Sequence, residues 1–208
     1  MTVYNENVMK DCCEVMTDVS VEQRRLLRIV LWINVGMFLV EFGAGLLADS
    51  TALLADSVDM LGDAIVYGFS LYVVSWGSVW QARAALLKGA VMALFGVGVL
   101  VEVVLKIARG TVPAADVMGG IGALALAANL GCLLLLRRRR ADDINMRSAW
   151  LCSRNDVMAN AGVLLAAAGV FLTRSAWPDI AIGLVIAALF ATSALGVIRE
   201  ARRALQRS

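Results

Sequence analysis

The chain has 208 residues, of which 60% are hydrophobic and 17% are charged, and its formal net charge is +2. A soluble domain is about 45–50% apolar, so this composition, with a mean hydropathy of +0.77, excludes an ordinary soluble domain and indicates a protein that crosses a membrane several times. The basic residues flank apolar stretches and form no patch interleaved with aromatic residues, which excludes nucleic-acid binding.

The first segment, residues 1–24, is predicted to be a polar and rather acidic cytosolic tail. It lacks the positively charged start of a secretory signal peptide, so we expect no cleavage. Its adjacent Cys12 and Cys13 either capture metal or are passive tail thiols or a lipidation site. The other two cysteines, Cys132 and Cys152, lie in or beside apolar stretches. Reduced thiols on a cytosolic face are therefore expected, and a disulfide framework is not.

Six apolar stretches follow, each of about 20 residues or more and thus long enough to span a bilayer. They cover residues 27–48, 51–76, 83–106, 112–136, 148–173 and 177–199. Only helices or closed barrels satisfy the backbone in lipid, and no alternation typical of strands is present. The predicted fold is an all-α membrane protein with six transmembrane helices over residues 25–200, followed by a short cytosolic tail over 201–208.

The connections between the predicted helices are short, with the exception of residues 137–147. Residues 48–50 are predicted to form a tight turn between the first two helices, with Asp49 or Ser50 as the N-cap of the second. Pro178 lies near the first turn of the sixth helix, a position that tolerates proline.

The distribution of Lys and Arg predicts the orientation. With the N-terminus in the cytosol, 16 of the 19 Lys and Arg residues lie on the cytosolic side, and Lys106, Arg109 and Arg174 lie outside. This bias follows the rule that cytoplasmic loops are rich in positive charge, so both termini are predicted to be cytosolic.

The second apolar stretch contains three aspartates, Asp56, Asp59 and Asp63. An aspartate in the centre of a bilayer costs roughly 2.5–3.5 kcal/mol on insertion scales, so such residues indicate a functional site. Asp59 and Asp63 are four residues apart and share one helix face. Asp56 lies near the external end, where we interpret it as a cap or as a hydrogen-bonding partner of a neighbouring helix.

A second pair lies in the fifth stretch, where Cys152 and Asp156 are also four residues apart. Asp59, Asp63, Cys152 and Asp156 together offer one sulfur and three carboxylates from two helices, a set that suits a tetrahedral divalent metal. The thiolate favours softer ions such as Zn²⁺ or Cd²⁺, and the carboxylates leave Mn²⁺, Fe²⁺ and Co²⁺ open.

The depths of these residues in the membrane disagree when they are counted along the sequence. From the external helix ends, at about 1.5 Å per residue, Asp59 lies roughly 12 Å deep and Asp156 roughly 27 Å deep. Staggered helix ends, helix tilt or a water-filled cavity are the ways in which the two pairs would meet.

Two segments resemble the cation diffusion facilitator family of metal/proton antiporters. The first is the second-helix sequence Ser50-x-Ala-Leu-Leu-Ala-Asp-Ser-Val-Asp59-x3-Asp63. The second is the fifth-helix sequence Asn145-x-Arg-Ser-Ala-Trp-Leu-Cys152-x3-Asp156-Val-Met-Ala-Asn160, and upstream Asn34 and Glu41 also match. The resemblance covers residues from about 25 to 200.

The resemblance implies a metal site at Asp59, Asp63, Cys152 and Asp156, alternating access, and export of cytosolic metal in exchange for external protons. The implied substrate is Zn²⁺, with Cd²⁺ or Co²⁺ as secondary ions, and the implied protein is a homodimer in the cell (inner) membrane. The metal is a transported substrate, and no prosthetic cofactor is expected.

The chain departs from this family in two respects. The fifth-helix position that is His in many zinc members is Cys152, and the chain has no His. The usual cytosolic C-terminal domain is expected to be absent. These departures leave open a transporter of Mn²⁺ or Fe²⁺ with the same fold, and a non-transporting metal sensor or subunit. An enzyme is not expected, since the sequence shows no nucleophile–base pair and no phosphate-binding loop.

Overall fold

A computed structural model describes residues 21–72, 78–138 and 144–207 of the chain. These residues form six α-helices and no strand. The helices are α1 (Val21–Ala48), α2 (Thr51–Tyr72), α3 (Ser78–Arg109), α4 (Ala115–Arg137), α5 (Ile144–Thr173) and α6 (Trp177–Arg207). Each helix corresponds to one of the six predicted stretches, and the all-α membrane fold is confirmed.

The helix bounds differ from the predicted stretches mainly at the two termini. Helix α1 begins at Val21 and α6 continues to Arg207, through most of the segment predicted as a tail. Cys12 and Cys13 lie outside the described residues, as do Arg139 and Arg140 in the connection between α4 and α5.

Five of the six described helices are long and apolar enough to cross a membrane by length and composition, and α2 is the exception. Three aspartates in 22 residues lower the apolarity of α2. The packing compensates for this polarity, because every residue from Ser50 to Val58 is buried within the protein. Helix α2 therefore relies on other helices, and not on lipid, to surround its polar residues.

Helix α2 occupies a central position in the bundle, since it packs against α1, α3, α5 and α6. Helix α4 packs against α1 and α5, and α3 packs against α6. Small residues permit the closest approaches. At Gly183 of α6, an added Cβ would lie 2.9 Å from the Thr51 carbonyl carbon of α2, so glycine is required where these two helices cross.

The N-terminus of α2 is capped by residues from two sources. Ser50 is its N-cap, as predicted, because its Oγ accepts a hydrogen bond from the Leu53 amide at 3.2 Å. Asp179 of α6 adds a second cap, with Oδ2 accepting from the Thr51 amide at 2.8 Å and Oδ1 from the Ala52 amide at 3.1 Å. The Ser50 hydroxyl also donates to Asp179 Oδ1, at 2.7 Å. One carboxylate of α6 therefore holds the start of α2.

Lys106 of α3 completes this arrangement. Its Nζ donates to Asp179 Oδ2 at 2.7 Å and to the carbonyl oxygen of Asp49, and both charged side chains are fully buried. Asp49 has a positive φ of 52°, which turns the chain sharply between α1 and α2. Three helices and one turn thus meet at a single buried ion pair.

Candidate metal centre

Helix α2 presents its aspartates in different environments. Asp56 and Asp63 are buried, whereas Asp59 is partly exposed. Asp63 lies one turn before Tyr67, whose hydroxyl is 3.3 Å from Asp63 Oδ2. The spacing of four residues places Asp59 and Asp63 along one stripe of α2, as the sequence indicates.

Helix α5 contributes Cys152 and Asp156, both buried. Asn160, one turn further, donates its Nδ2 to the Asp156 carbonyl oxygen at 2.8 Å. Arg154 points to another face of α5, with its guanidinium carbon 5.8 Å from the centre of the Trp150 ring. This contact with Trp150, a cation–π interaction, agrees with the interpretation that Arg154 is separate from the Cys152–Asp156 pair.

The register between α2 and α5 is fixed by a contact at one end of the candidate site. The Tyr67 hydroxyl lies 3.4 Å from the carbonyl oxygen of Ala149, so these two residues are level with each other. The chain directions of α2 and α5 are opposite. One helical turn from Tyr67 toward the N-terminus of α2 is therefore level with one turn from Ala149 toward the C-terminus of α5. Asp63 is level with Cys152. One turn further along both helices, Asp59 is level with Asp156.

Contacts near the other end of α2 give the same register to within a few ångströms. Thr51 lies against Gly183 of α6, and the adjacent Ile182 lies 3.5 Å from an ideal Cβ on Gly162 of α5. The start of α2 is thus level with the middle of α5. Gly183 is also six residues inside α6, which begins at Trp177.

This stagger explains the disagreement in depth that the sequence count produced. Helix α5 continues to Thr173, well beyond the level of Thr51, where α2 begins. The depths counted along the sequence would be correct only if the external ends of α2 and α5 lay in the same plane. Staggered helix ends, one of the three explanations that the sequence left open, therefore account for the disagreement.

The residues of the two helices are level in pairs, but the four side chains do not form a closed ligand cage. Among the described residues, no group of three or more His, Cys, Asp and Glu side chains is placed so that it could hold a metal ion. Asp59, Asp63, Cys152 and Asp156 remain the candidate ligands on the basis of their chemistry and register.

A second set of acidic residues, which the sequence reading did not identify as a cluster, lies between α1 and α2. Contact between Gly45 and Leu54 sets the register of these two helices and places Glu41 level with Val58, between Asp56 and Asp59. The three carboxylates interact electrostatically. Glu41 and Asp56 are fully buried, and none of their four carboxylate oxygens has a hydrogen-bond partner among the described residues.

This arrangement differs from the predicted role of Asp56. We expected it to cap a helix or to bond to a neighbouring helix, but Ser50 and Asp179 provide the cap and the Asp56 carboxylate accepts no hydrogen bond among the described residues. Unpartnered buried carboxylates are costly. Sequence spacing could not reveal the cluster, because Glu41 lies on a different helix.

Cys132 of α4 is a further side chain near the candidate centre. It is fully buried beside Tyr67 and Ala149, and it interacts electrostatically with Asp63. Asn129, one turn earlier, donates its Nδ2 to Met60 Sδ at 3.7 Å. Helix α4 thus brings a thiol close to Asp63, a candidate ligand of α2, and the only sequence signal for it was a cysteine inside an apolar stretch.

Comparison with known proteins gives one result for nearly the whole chain. The family model described as "Cation efflux transmembrane domain" matches residues 27–206. No curated protein matches the chain significantly.

Proposed function

The chain belongs to the cation efflux family, whose members transport metal cations across membranes, and from this premise we propose that it exports Zn²⁺ from the cytosol in exchange for protons. Cd²⁺ and Co²⁺ are proposed as secondary substrates. The proposed binding residues are Asp59 and Asp63 of α2 and Cys152 and Asp156 of α5.

One observation supports the proposed site above all others. Two helices that pack together each have a pair of potential ligands four residues apart, and the contact between Tyr67 and Ala149 puts the two pairs level. Ionisable residues inside a membrane are energetically costly, so their presence indicates a functional site. Four candidate ligands at two adjacent levels, one helical turn apart, would satisfy that expectation with a single site.

Proton exchange follows from the chemistry of the proposed ligands. A metal binds the deprotonated forms of cysteine and aspartate, so metal binding displaces protons from them. Protons that enter from the external side compete with the metal and favour its release. We propose that Cys152 and one aspartate carry the exchanged protons.

The thiolate decides the proposed order of metals. Sulfur ligands favour softer ions, which ranks Zn²⁺ and Cd²⁺ above ions that prefer oxygen. The second candidate substrate is Mn²⁺ or Fe²⁺, which the carboxylates favour, since oxygen atoms outnumber sulfur in the proposed set.

The setting of the transporter is also part of the proposal. The excess of Lys and Arg at one end of the bundle supports a topology with both termini in the cytosol. We propose that the protein is a homodimer in the cell (inner) membrane.

Transport by reconstituted protein tests the proposal. Purified protein in proteoliposomes receives an imposed proton gradient, and uptake of Zn²⁺, Cd²⁺, Co²⁺ and Mn²⁺ is measured for the wild type and for Asp63→Ala. We expect a saturable, gradient-driven flux of Zn²⁺ or Cd²⁺ that is lost in Asp63→Ala. Leu165→Ala, on a lipid-exposed face of α5, is the control and should retain the flux.

Two outcomes would change the assignment. A flux of Mn²⁺ with no flux of Zn²⁺ or Cd²⁺ would support the second candidate substrate. Absence of flux for every ion, in protein that is folded and inserted, would contradict the transporter proposal and favour a metal sensor or a subunit that does not transport.

A further inference from the structure

Tyr67 is the largest fully buried side chain of the described residues, and its hydroxyl has two acceptors within reach. Asp63 Oδ2 lies at 3.3 Å and the Ala149 carbonyl oxygen at 3.4 Å. A phenol has a single proton to donate, so the hydroxyl cannot donate fully to both of these oxygens at the same time.

The two acceptors belong to the two helices of the proposed metal site. Asp63 is a proposed ligand on α2, and Ala149 precedes the proposed ligand Cys152 of α5 by three residues. When Tyr67 donates to Ala149, the hydrogen bond joins α2 to α5. When it donates to Asp63, the hydrogen bond stays within α2, and the hydrogen bond between Tyr67 and Ala149 is lost.

We propose that Tyr67 is a positioning residue that couples the occupancy of Asp63 to the contact between α2 and α5. This inference rests on the proposed function, because it requires a cation at Asp63. An ionised carboxylate is a stronger acceptor than a neutral peptide carbonyl. In the metal-free site the hydroxyl therefore donates to Asp63 whenever that carboxylate is ionised.

A bound cation changes this preference. The cation draws on the electrons of the Asp63 carboxylate and weakens it as an acceptor, so the Tyr67 hydroxyl turns and donates its hydrogen bond to the Ala149 carbonyl. The two helices then become linked beside the site at the moment when it is filled. A residue in this position favours closure of the end of the α2–α5 interface at which Tyr67 and Ala149 lie only after the cation is bound.

Tyr67→Phe tests the proposal because it removes one oxygen atom and keeps the ring in place. The metal-free carboxylate loses a charge-assisted hydrogen bond, and the bound state loses a weaker neutral one. The first is stronger than the second, so Cd²⁺ should bind about three- to tenfold more tightly to the purified variant. In proteoliposomes, KM should fall by a similar factor while the maximal rate also falls.

Ser57→Ala is the matched control. Ser57 is buried on the same helix, but its hydroxyl donates to the Leu54 carbonyl within α2, at 2.7 Å. This variant should change neither Cd²⁺ affinity nor the ratio between KM and maximal rate. A purely structural role for Tyr67 would lower the yield or thermal stability of the protein and would leave KM unchanged.

If Tyr67→Phe does not fold, 3-fluorotyrosine at position 67 provides a second test. Fluorine makes the hydroxyl a stronger donor without removing it, which favours the bond to the charged carboxylate, so Cd²⁺ should bind more weakly than to the wild type. Unchanged affinity and kinetics in the folded variant, or equal shifts in Ser57→Ala, would overturn the proposal.

The binding and transport measurements separate this inference from the proposed function. If the wild type binds Cd²⁺ but transports nothing, transport is contradicted and the affinity shift of Tyr67→Phe still decides the role of Tyr67. If Asp63→Ala binds Cd²⁺ as well as the wild type does, Asp63 holds no cation and the coupling is overturned.

Discussion

Lys106 and Asp179 form an ion pair with both side chains fully buried, and this pair holds the first residues of α2. The Asp179 carboxylate accepts hydrogen bonds from the Lys106 ammonium, two backbone amides and the Ser50 hydroxyl. It also lies at a helix N-terminus, where a negative charge is favourable. Asp179 is therefore the more important partner of the pair.

This relationship predicts an order of effects on stability. Asp179→Ala should cost about 3–5 kcal/mol, because it leaves a buried ammonium and several donors without their acceptor. Lys106→Met should cost less, since Asp179 keeps its three other donors. Glu102→Ala, in the more exposed pair with Arg109, should cost at most about 1 kcal/mol. Thermal unfolding in detergent measures all three, and equal midpoints for Asp179→Ala and Glu102→Ala would contradict the order.

Gly183 provides a test of the crossing between α2 and α6. An alanine there would place its Cβ 2.9 Å from the Thr51 carbonyl carbon, so Gly183→Ala should destabilise the protein by about 1–3 kcal/mol. Gly196→Ala on the same helix meets nothing within 4 Å and should be neutral or stabilising by up to about 1 kcal/mol. Similar unfolding temperatures for the two variants would show that the crossing is looser than described.

The acidic residues between α1 and α2 give a prediction in the stabilising direction. Asp56→Asn replaces an unpartnered buried carboxyl by a neutral group of the same shape that can donate to Glu41. We expect a gain on the order of 1 kcal/mol, or roughly 2–4 °C in the Tm of the metal-free protein. The exposed Asp116 provides the control, Asp116→Asn, for which we expect a small loss. A large loss in Asp56→Asn would mean that the Asp56 carboxylate has a stabilising partner.

The two buried cysteines allow the role of sulfur to be tested within one protein. Cys152→Ser should shift transport from Zn²⁺ and Cd²⁺ toward Mn²⁺, because an oxygen donor replaces the proposed thiolate ligand. Cys132→Ser makes the same atomic change at a buried site one helix away and should leave the metal preference unchanged. Competition among the three ions in proteoliposomes checks both, and a shift in Cys132→Ser alone would move the selectivity to α4.

The sequence was sufficient for the helices and for the spacing of the candidate ligands within each helix. Apolar length predicted all six elements, and spacing within one helix predicted that Asp59 and Asp63 share a stripe. These properties are local, so the residues themselves determine them.

Properties that depend on two helices could not be predicted in this way. The level of Cys152 relative to Asp63 depends on how far α5 extends past α2. The sequence of either helix taken alone does not predict that stagger. The second cap of α2, Asp179, likewise lies 129 residues from Ser50 in the sequence. The closeness of Glu41 to Asp56 depends on the register of α1 and α2, which the contact between Gly45 and Leu54 fixes.

The position of Asp179 has a consequence for the biosynthesis of the protein. Helix α2 is synthesised well before α6, which supplies its second cap, Asp179. With three aspartates, α2 is a poor substrate for insertion by itself. Asp179 can therefore hold the start of α2 only after α6 has been made, and a chain truncated before Trp177 has an α2 without this second cap.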